Sequence, residues 1–137
     1  MAERTYRGRG VDVVYDPARC RHVAACVRGL PTVFDTARRP WIDPDGEPDP
    51  ARVAEVVERC PTGALHHRRH DGVPEAPTAP TTVTALPDGP LLLRGDLRVE
   101  VDGVEVAETR AALCRCGRSA VKPWCDGSHE RTGWRSG

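Results

Sequence analysis

The chain has 137 residues, 39% of them hydrophobic and only 4% aromatic, so it cannot build a large aromatic core. Twenty basic residues balance twenty acidic ones, giving 20 against 20 and a formal net charge of zero, which argues against a general binder of nucleic acid or of membrane surfaces. This length suits one domain or two small ones, and two would each fall in the size range where metals or oligomerisation supplement the core.

The opening MAERTYRGRGVDVVYDP has no apolar signal region, and no later run approaches the length of a membrane span. The expectation is an unexported, cytoplasmic protein with no membrane partner. Of the 20 basic residues all but Lys122 are Arg, and Ala, Pro, Gly and Val abound, as in GC-rich bacterial genomes. VDVVY (11–15) predicts a strand, and Asp16-Pro17 starts a predicted short helix running through CRHVAACVRG to Gly29. DPARVAEVVERCP predicts a better helix, with Asp49 as N-cap, Pro50 at the first position and Pro61 as the stop. Val53, Val56, Val57 and Cys60 recur at helical spacing and share one face. ALHHRR returns as a strand, and HHRRH (66–70), where that strand leaves for a Pro-rich stretch, reads as solvated and polar rather than as a metal site. Strand–helix–helix–strand is the order of a small α+β unit.

Residues 71–90 hold five prolines, which exclude helix and suit an extended linker that feeds an edge strand. The domain boundary is placed there, with residues 1–75 before it and 76–137 after. Beyond it TTVTAL, PLLLRG, LRVEV and VEVAE predict short strands separated by Pro-Asp-Gly-Pro, Gly-Asp and Asp-Gly turns. The thin sheet they make needs something to hold the following segment against it.

Six cysteines in such a chain favour metal or redox chemistry over a disulfide framework. Three lie in each half, Cys20, Cys26 and Cys60, then Cys114, Cys116 and Cys125, and two odd sets cannot each pair off internally. In CRCGRSAVKPWCDGSH the pattern is Cys-x-Cys-x8-Cys-x3-His. Cys114 and Cys116, two apart in an extended chain, face one side, and Cys125 and His129, four apart on a helical turn, also share a side. Two ligand pairs suit a [2Fe–2S] cluster, whose two irons each take two protein ligands, and one tetrahedral zinc accepts the same four donors. Spacing alone leaves both open.

The residues between the ligands carry more. Cys114, Cys116, Ser119, Pro123, Cys125, Asp126, Gly127, Ser128 and His129 together resemble the CDGSH iron–sulfur domain family, of the mitoNEET-like type. The resemblance spans about fifty residues, GPLLLRG and ALCRCGRS included. It implies a small β-rich domain with a short helix carrying His129, and a [2Fe–2S] cluster with Cys114 and Cys116 on one iron, Cys125 and His129 on the other. It also implies either a homodimer sharing a β-sheet or a partner surface supplied within the chain by the first half. Gly127 permits close approach of backbone to the cluster, Asp126 and Ser128 cap the short helix, and Pro123 stiffens the loop. Arg115, Arg118 and Lys122 either offer charge and N–H donors to an anionic cluster or are a solvated surface. Neutral imidazole in place of a thiolate makes such a cluster accept an electron more easily, and protonation of the ligating nitrogen would make it labile in acid.

Residues 11–67 resemble the divergent single-cluster ferredoxins, with Cys-x5-Cys followed by Cys-Pro-x-x-Ala. The resemblance implies a ferredoxin-like α+β domain whose cluster is held by Cys20, Cys26 and Cys60. Val23 stands where an ordinary ferredoxin has its middle cysteine. Three thiolates suffice for a [3Fe–4S] cluster and a [4Fe–4S] cluster needs a fourth ligand, for which His22 is the neighbouring candidate. A zinc site from Cys20, His22, Cys26 and Cys60, or three buried structural thiols, are the remaining alternatives.

No nucleotide fingerprint, P-loop or catalytic triad motif occurs, so a catalytic enzyme is not expected. Three functions fit these readings. The first is an electron carrier with two clusters, served by redox partner proteins. The second is cluster transfer or storage toward an apo-acceptor, or redox and pH sensing. The third is a zinc-stapled interaction module.

Overall fold

The computed structural model describes residues 3–21 and 23–137. They form two small three-stranded antiparallel sheets with a few short helices, a small α+β arrangement in two compact units. The division is not one cut in the chain. Among the described residues the first unit takes 3–17, 23–60 and 64–75, and the second takes 76–137 together with the short segments 18–21 and 61–63.

In the first unit β1 (Arg4–Tyr6), β2 (Val11–Tyr15) and β3 (Leu65–Arg69) lie in the order β1-β2-β3, with Val13 opposite both Tyr6 and His67. The sequence reading missed β1, a three-residue edge strand with no hydrophobic alternation to mark it. The helix expected from Asp16-Pro17 begins much later, as the single turn α1 (Ala25–Gly29). Ala24, its N-cap, has a left-handed backbone (φ 66°), which no continuous right-handed helix can pass through. Helix α2 (Pro50–Val57) starts as the sequence predicts. The Asp49 side chain accepts a hydrogen bond from Ala51 N at 3.0 Å, and Pro50 takes the first position.

Val53, Val56 and Val57 on α2 meet Val11 and Val13 of β2, Leu65 of β3, and Leu30, Val33, Phe34 and Ile42 of the intervening loop in one buried apolar cluster. Tyr15 and Trp41 close its rim edge-to-face at 5.1 Å. The HHRR run lies within β3, and its alternation buries His67 instead of leaving it solvated. His67 Nε2 sits 3.7 Å from Glu58 and 3.9 Å from Glu75, while His66 Nδ1 lies 2.7 Å from Glu75.

The second unit is built on β4 (Thr82–Ala85), β5 (Leu91–Val101) and β6 (Val104–Leu113), in that order. PLLLRG and LRVEV, expected as two strands around a Gly-Asp turn, are one continuous β5. Gly95 (φ 152°) instead marks a bulge, where the register to β6 shifts between Arg94 and Leu97. An extra residue absorbed in this way bends a strand without ending it, and glycine alone adopts that backbone readily. Asp102 and Gly103, both at positive φ, make the two-residue hairpin turn that joins β5 to β6. β6 delivers the chain directly to Cys114.

Candidate metal centre

The segment after β6 folds back on the strand it leaves. Leu113 bridges Trp124, Cys114 N donates to Pro123 O at 2.7 Å, and Cys125 N donates to Ala112 O at 2.8 Å. Residues 114–125 thus form a loop closed at its base by backbone hydrogen bonds, with a cysteine on each arm of that base. Inside it Ser119, buried, donates its hydroxyl to Trp124 O (2.6 Å) and accepts from Val121 N (3.1 Å). Asp126 accepts from Ala120 N with one oxygen, and from the backbone and hydroxyl of Ser128 with the other. Burial alone would push its carboxyl up, but these donors and the Arg131 charge outweigh it and hold the group well below the usual carboxylate range. The next turn is α3 (Ser128–Arg131), which carries His129.

The donors are already paired at the spacing one metal requires. Cys114 Sγ and Cys116 Sγ are 3.9 Å apart, and Cys125 Sγ is 3.7 Å from His129 Nδ1. Around a tetrahedral metal with bonds of about 2.3 Å to sulfur and about 2.0 Å to nitrogen, two sulfurs stand about 3.8 Å apart and sulfur stands about 3.5 Å from nitrogen. Both pairs fit such edges, and Nδ1 is the imidazole nitrogen turned toward its partner. Among the described residues no group of three or more His, Cys, Asp or Glu side chains meets around a single ion. Cys125 lies just before α3 and not on it, so the pair is set by the Asp126-Gly127 turn rather than by helical spacing.

Two thiols respond oppositely to their surroundings. Burial works against ionisation of Cys114, but backbone N–H groups of Ser119, Gly117 and Arg118 favour the thiolate and lower its pKa. Arg118 N also donates to Cys116 Sγ at 3.4 Å. Cys125 is buried deeper, and burial pushes its thiol up, with the negative charges of Asp126 and Cys114 adding to the rise. The Gly127 N–H and the Arg21 charge act the other way.

The three cations singled out in the sequence divide. Arg115 is committed to structure, with Nε on Gly89 O at 3.0 Å, a second nitrogen on Leu86 O, and its guanidinium over Trp134. The side chains of Arg118 and Lys122 belong to the exposed rim of the loop. The residues that the sequence reading missed come from the first half of the chain. Arg19 stacks over Trp124 at 4.1 Å, pairs with the buried Glu108 at 2.6 Å, and donates to Thr62 O. Arg21 lies against Gly127, where its Nη1 occupies the place a Cβ would take. Gly127 therefore has two reasons to be glycine, this contact and its left-handed φ of 84°. No local pattern marks either arginine, because each acts across about a hundred residues of chain.

Of the first set, Cys26 is on α1 and Cys60 follows the end of α2, and both pack half-buried against the apolar cluster of the first unit. α1 and α2 approach each other where Gly29 faces Val56, with Arg59 just past the end of α2 beside it. Cys20, half-buried, falls in the 18–21 segment of the second unit. His22 lies outside the described residues.

The two family models that the chain matches are those of iron-binding proteins of the iron–sulfur class. Family comparison gives both halves their place. Residues 6–70 match the divergent 4Fe-4S mono-cluster family, and residues 88–130 match the iron-binding zinc finger of CDGSH type. The chain belongs to the divergent 4Fe-4S mono-cluster family and carries a CDGSH domain after it. It is similar to the "Uncharacterized protein YjdI" of Escherichia coli K12 and to the protein of that name in Escherichia coli O157:H7. Each is 46% identical over 65 residues, which are 47% of this chain and 84% of the relative. Among the described residues no helix is long and apolar enough to cross a membrane.

Proposed function

We propose that this is an electron carrier with two clusters. The second unit holds a [2Fe–2S] cluster, with Cys114 and Cys116 on one iron and Cys125 and His129 on the other. Cys20, Cys26 and Cys60 hold a cuboidal cluster, of the [3Fe–4S] or the [4Fe–4S] type. The observation that carries the reading is the pair spacing, 3.9 Å between the two sulfurs and 3.7 Å between sulfur and Nδ1. Two such pairs on opposite arms of one closed loop suit two irons better than one zinc. A cluster bound there supplies a one-electron couple.

This chain's residues do the rest. Neutral His129 leaves the ligand set one negative charge smaller than four thiolates, which favours the reduced state. The N–H groups of residues 117–119 favour thiolate at Cys114, the ionisation state a metal requires. Beside Cys114 an open groove of about 500 Å³, lined by Leu91, Leu113 and Pro123 with Lys122 and Asp102 at its edges, offers a redox partner protein access to the ligand loop.

Exposure of Gly117, Arg118, Ala120 and Lys122 on the same loop favours a second reading, donation of the cluster to an apo-acceptor. Iron and acid-labile sulfide counts test the cofactors: two irons for the CDGSH site plus three or four for the other, against zinc and no sulfide. Reduction by a ferredoxin reductase, set beside transfer to an apo-ferredoxin, tests the role. Reversible reduction with no transfer supports the carrier, and rapid transfer with no reduction overturns it.

A further inference from the structure

The second unit places a cation from the first half of the chain beside its ligand turn, and that cation has a buried donor without a partner among the described residues. Nε of Arg21 is buried without a hydrogen-bond partner among the described residues. Its Nη1 lies against Gly127, between ligands Cys125 and His129, and its charge acts on Cys125. A guanidinium N–H taken out of water without an acceptor is costly, so a buried one points to an acceptor it is built to meet.

The neighbouring cations have their terminal nitrogens engaged elsewhere, although Arg19 Nε is also buried without a partner among the described residues. Arg131 bonds to Asp126 O and Ser128 Oγ, and Arg115 bonds to the carbonyls of Gly89 and Leu86. Arg19, two residues away, is anchored by Glu108, Thr62 O and the Trp124 ring. This anchoring holds the 18–21 segment, and with it Arg21, to the second unit. The protein's own anions at this turn are partnered as well, since Asp126 takes Ala120 N, Ser128 and Arg131.

We propose that Arg21 is a tuning residue of the C-terminal cluster, giving the anionic sulfur at the Cys125/His129 iron a hydrogen bond and a positive charge. The assignment rests on the [2Fe–2S] reading above. Positive charge and N–H donors beside the sulfurs stabilise the reduced, more negative state, so Arg21 raises the reduction potential. It also slows loss of the metal. The step it assists is the gain of one electron from a partner, and no bond to Arg21 forms or breaks.

The test uses the full-length chain purified anaerobically, with iron and sulfide counted first, then a potentiometric titration followed by the EPR signal of the reduced two-iron cluster. Arg21→Gln, which removes the charge, lowers the midpoint potential and speeds bleaching of the visible bands by a chelator. Arg21→Lys keeps the charge but not the planar donor, and lowers the potential less. A role in packing alone leaves the potential of loaded protein unmoved. A fully loaded Arg21→Gln protein with the wild-type potential therefore overturns the assignment. If that variant does not load, Arg21→Lys decides: a lowered potential supports the assignment and an unchanged one overturns it. A wild-type chain with no two-iron signal overturns the underlying cluster reading, and this inference with it. A wild-type signal with unmoved variants overturns this inference alone.

Discussion

The first unit buries Val11, Val13, Val33, Phe34, Ile42, Val53, Val56 and Val57, a contiguous apolar cluster drawn from strands, a helix and a loop. The second unit buries Leu97, Ala111, Ala112 and Cys125 alongside Arg19, Thr62, Glu108, Arg110, Ser119 and Ser128. Apolar burial stabilises by about 25 cal/mol per Å², so large side chains contribute most and alanines little. An interior of small and polar groups gains less from that source and depends on satisfied hydrogen bonds, ion pairs and metal. The first unit has the larger apolar core, and the second is expected to rely more on a metal staple.

Breaking the staple tests that difference hardest. Cys125→Ser is expected to abolish the absorption of the proposed two-iron cluster and to leave the second unit without fixed tertiary packing, while the strands and helices of the first remain. Backbone NMR spectra of the loaded and variant chains check this, and full dispersion of the second unit in the variant would count against a stapled interior.

Packing in the first unit is next. Phe34→Ala, at a fully buried site, should cost about 3–5 kcal/mol in denaturant unfolding of that unit. Of similar size is the buried pair in the second unit, whose side chains are 8% and 6% exposed. Glu108→Ala strands the Arg19 charge and should cost about 3–5 kcal/mol, whereas Arg19→Met combined with Glu108→Leu should recover most of that loss. A double variant no more stable than the single one would show that the pair does more than neutralise itself. A smaller effect is expected from Asp49→Ala, which removes the cap of α2 and should cost about 1 kcal/mol, read as a lower urea midpoint of the first unit.

The smallest effect is a pH dependence confined to the first unit. Asp12 accepts from Gly8 N at 3.2 Å and lies 3.0 Å from His70 Nε2. Burial would raise its pKa, but those bonds and the charges of His70 and Arg7 win and lower it. The bond to Asp12 and the Arg9 carbonyl raise that of His70. A lowered acid contributes stability that is present above its unfolded value of 3.8 and lost as pH falls through the folded one. A raised base contributes stability that is present below its unfolded value of 6.5 and lost as pH rises through its folded pKa. The pair therefore contributes in full between these two unfolded values. His70→Gln should lower first-unit stability inside that window and flatten its fall as pH rises above 6.5, and an unchanged profile would remove the pair from the comparison.

Much of this was legible locally. Asp49-Pro50 sets the start of α2, Asp102-Gly103 sets the hairpin, and the ligand spacing from Cys114 to His129 marks the CDGSH domain, because each is decided by neighbours a few residues apart. The early helix failed at Ala24, where a left-handed backbone replaces what helix propensity favours, since propensity is a weak prior that surrounding structure overrides. Gly-Asp at 95–96 carries a turn signal, yet pairing along both sides of the bulge keeps β5 whole.

By itself the sequence determined the family and put Cys114 near Cys116 and Cys125 near His129 along the chain, since donor chemistry and spacing are written in residue type and interval. Only the tertiary structure decided that residues 18–21 and 61–63 join the second unit, that His67 is buried, and that Arg19 and Arg21 stand on Trp124 and Gly127. The two arginine contacts join residues about a hundred positions apart. They depend on a guanidinium finding a buried carboxylate, a ring and an open glycine together, a conjunction that no short run of sequence contains.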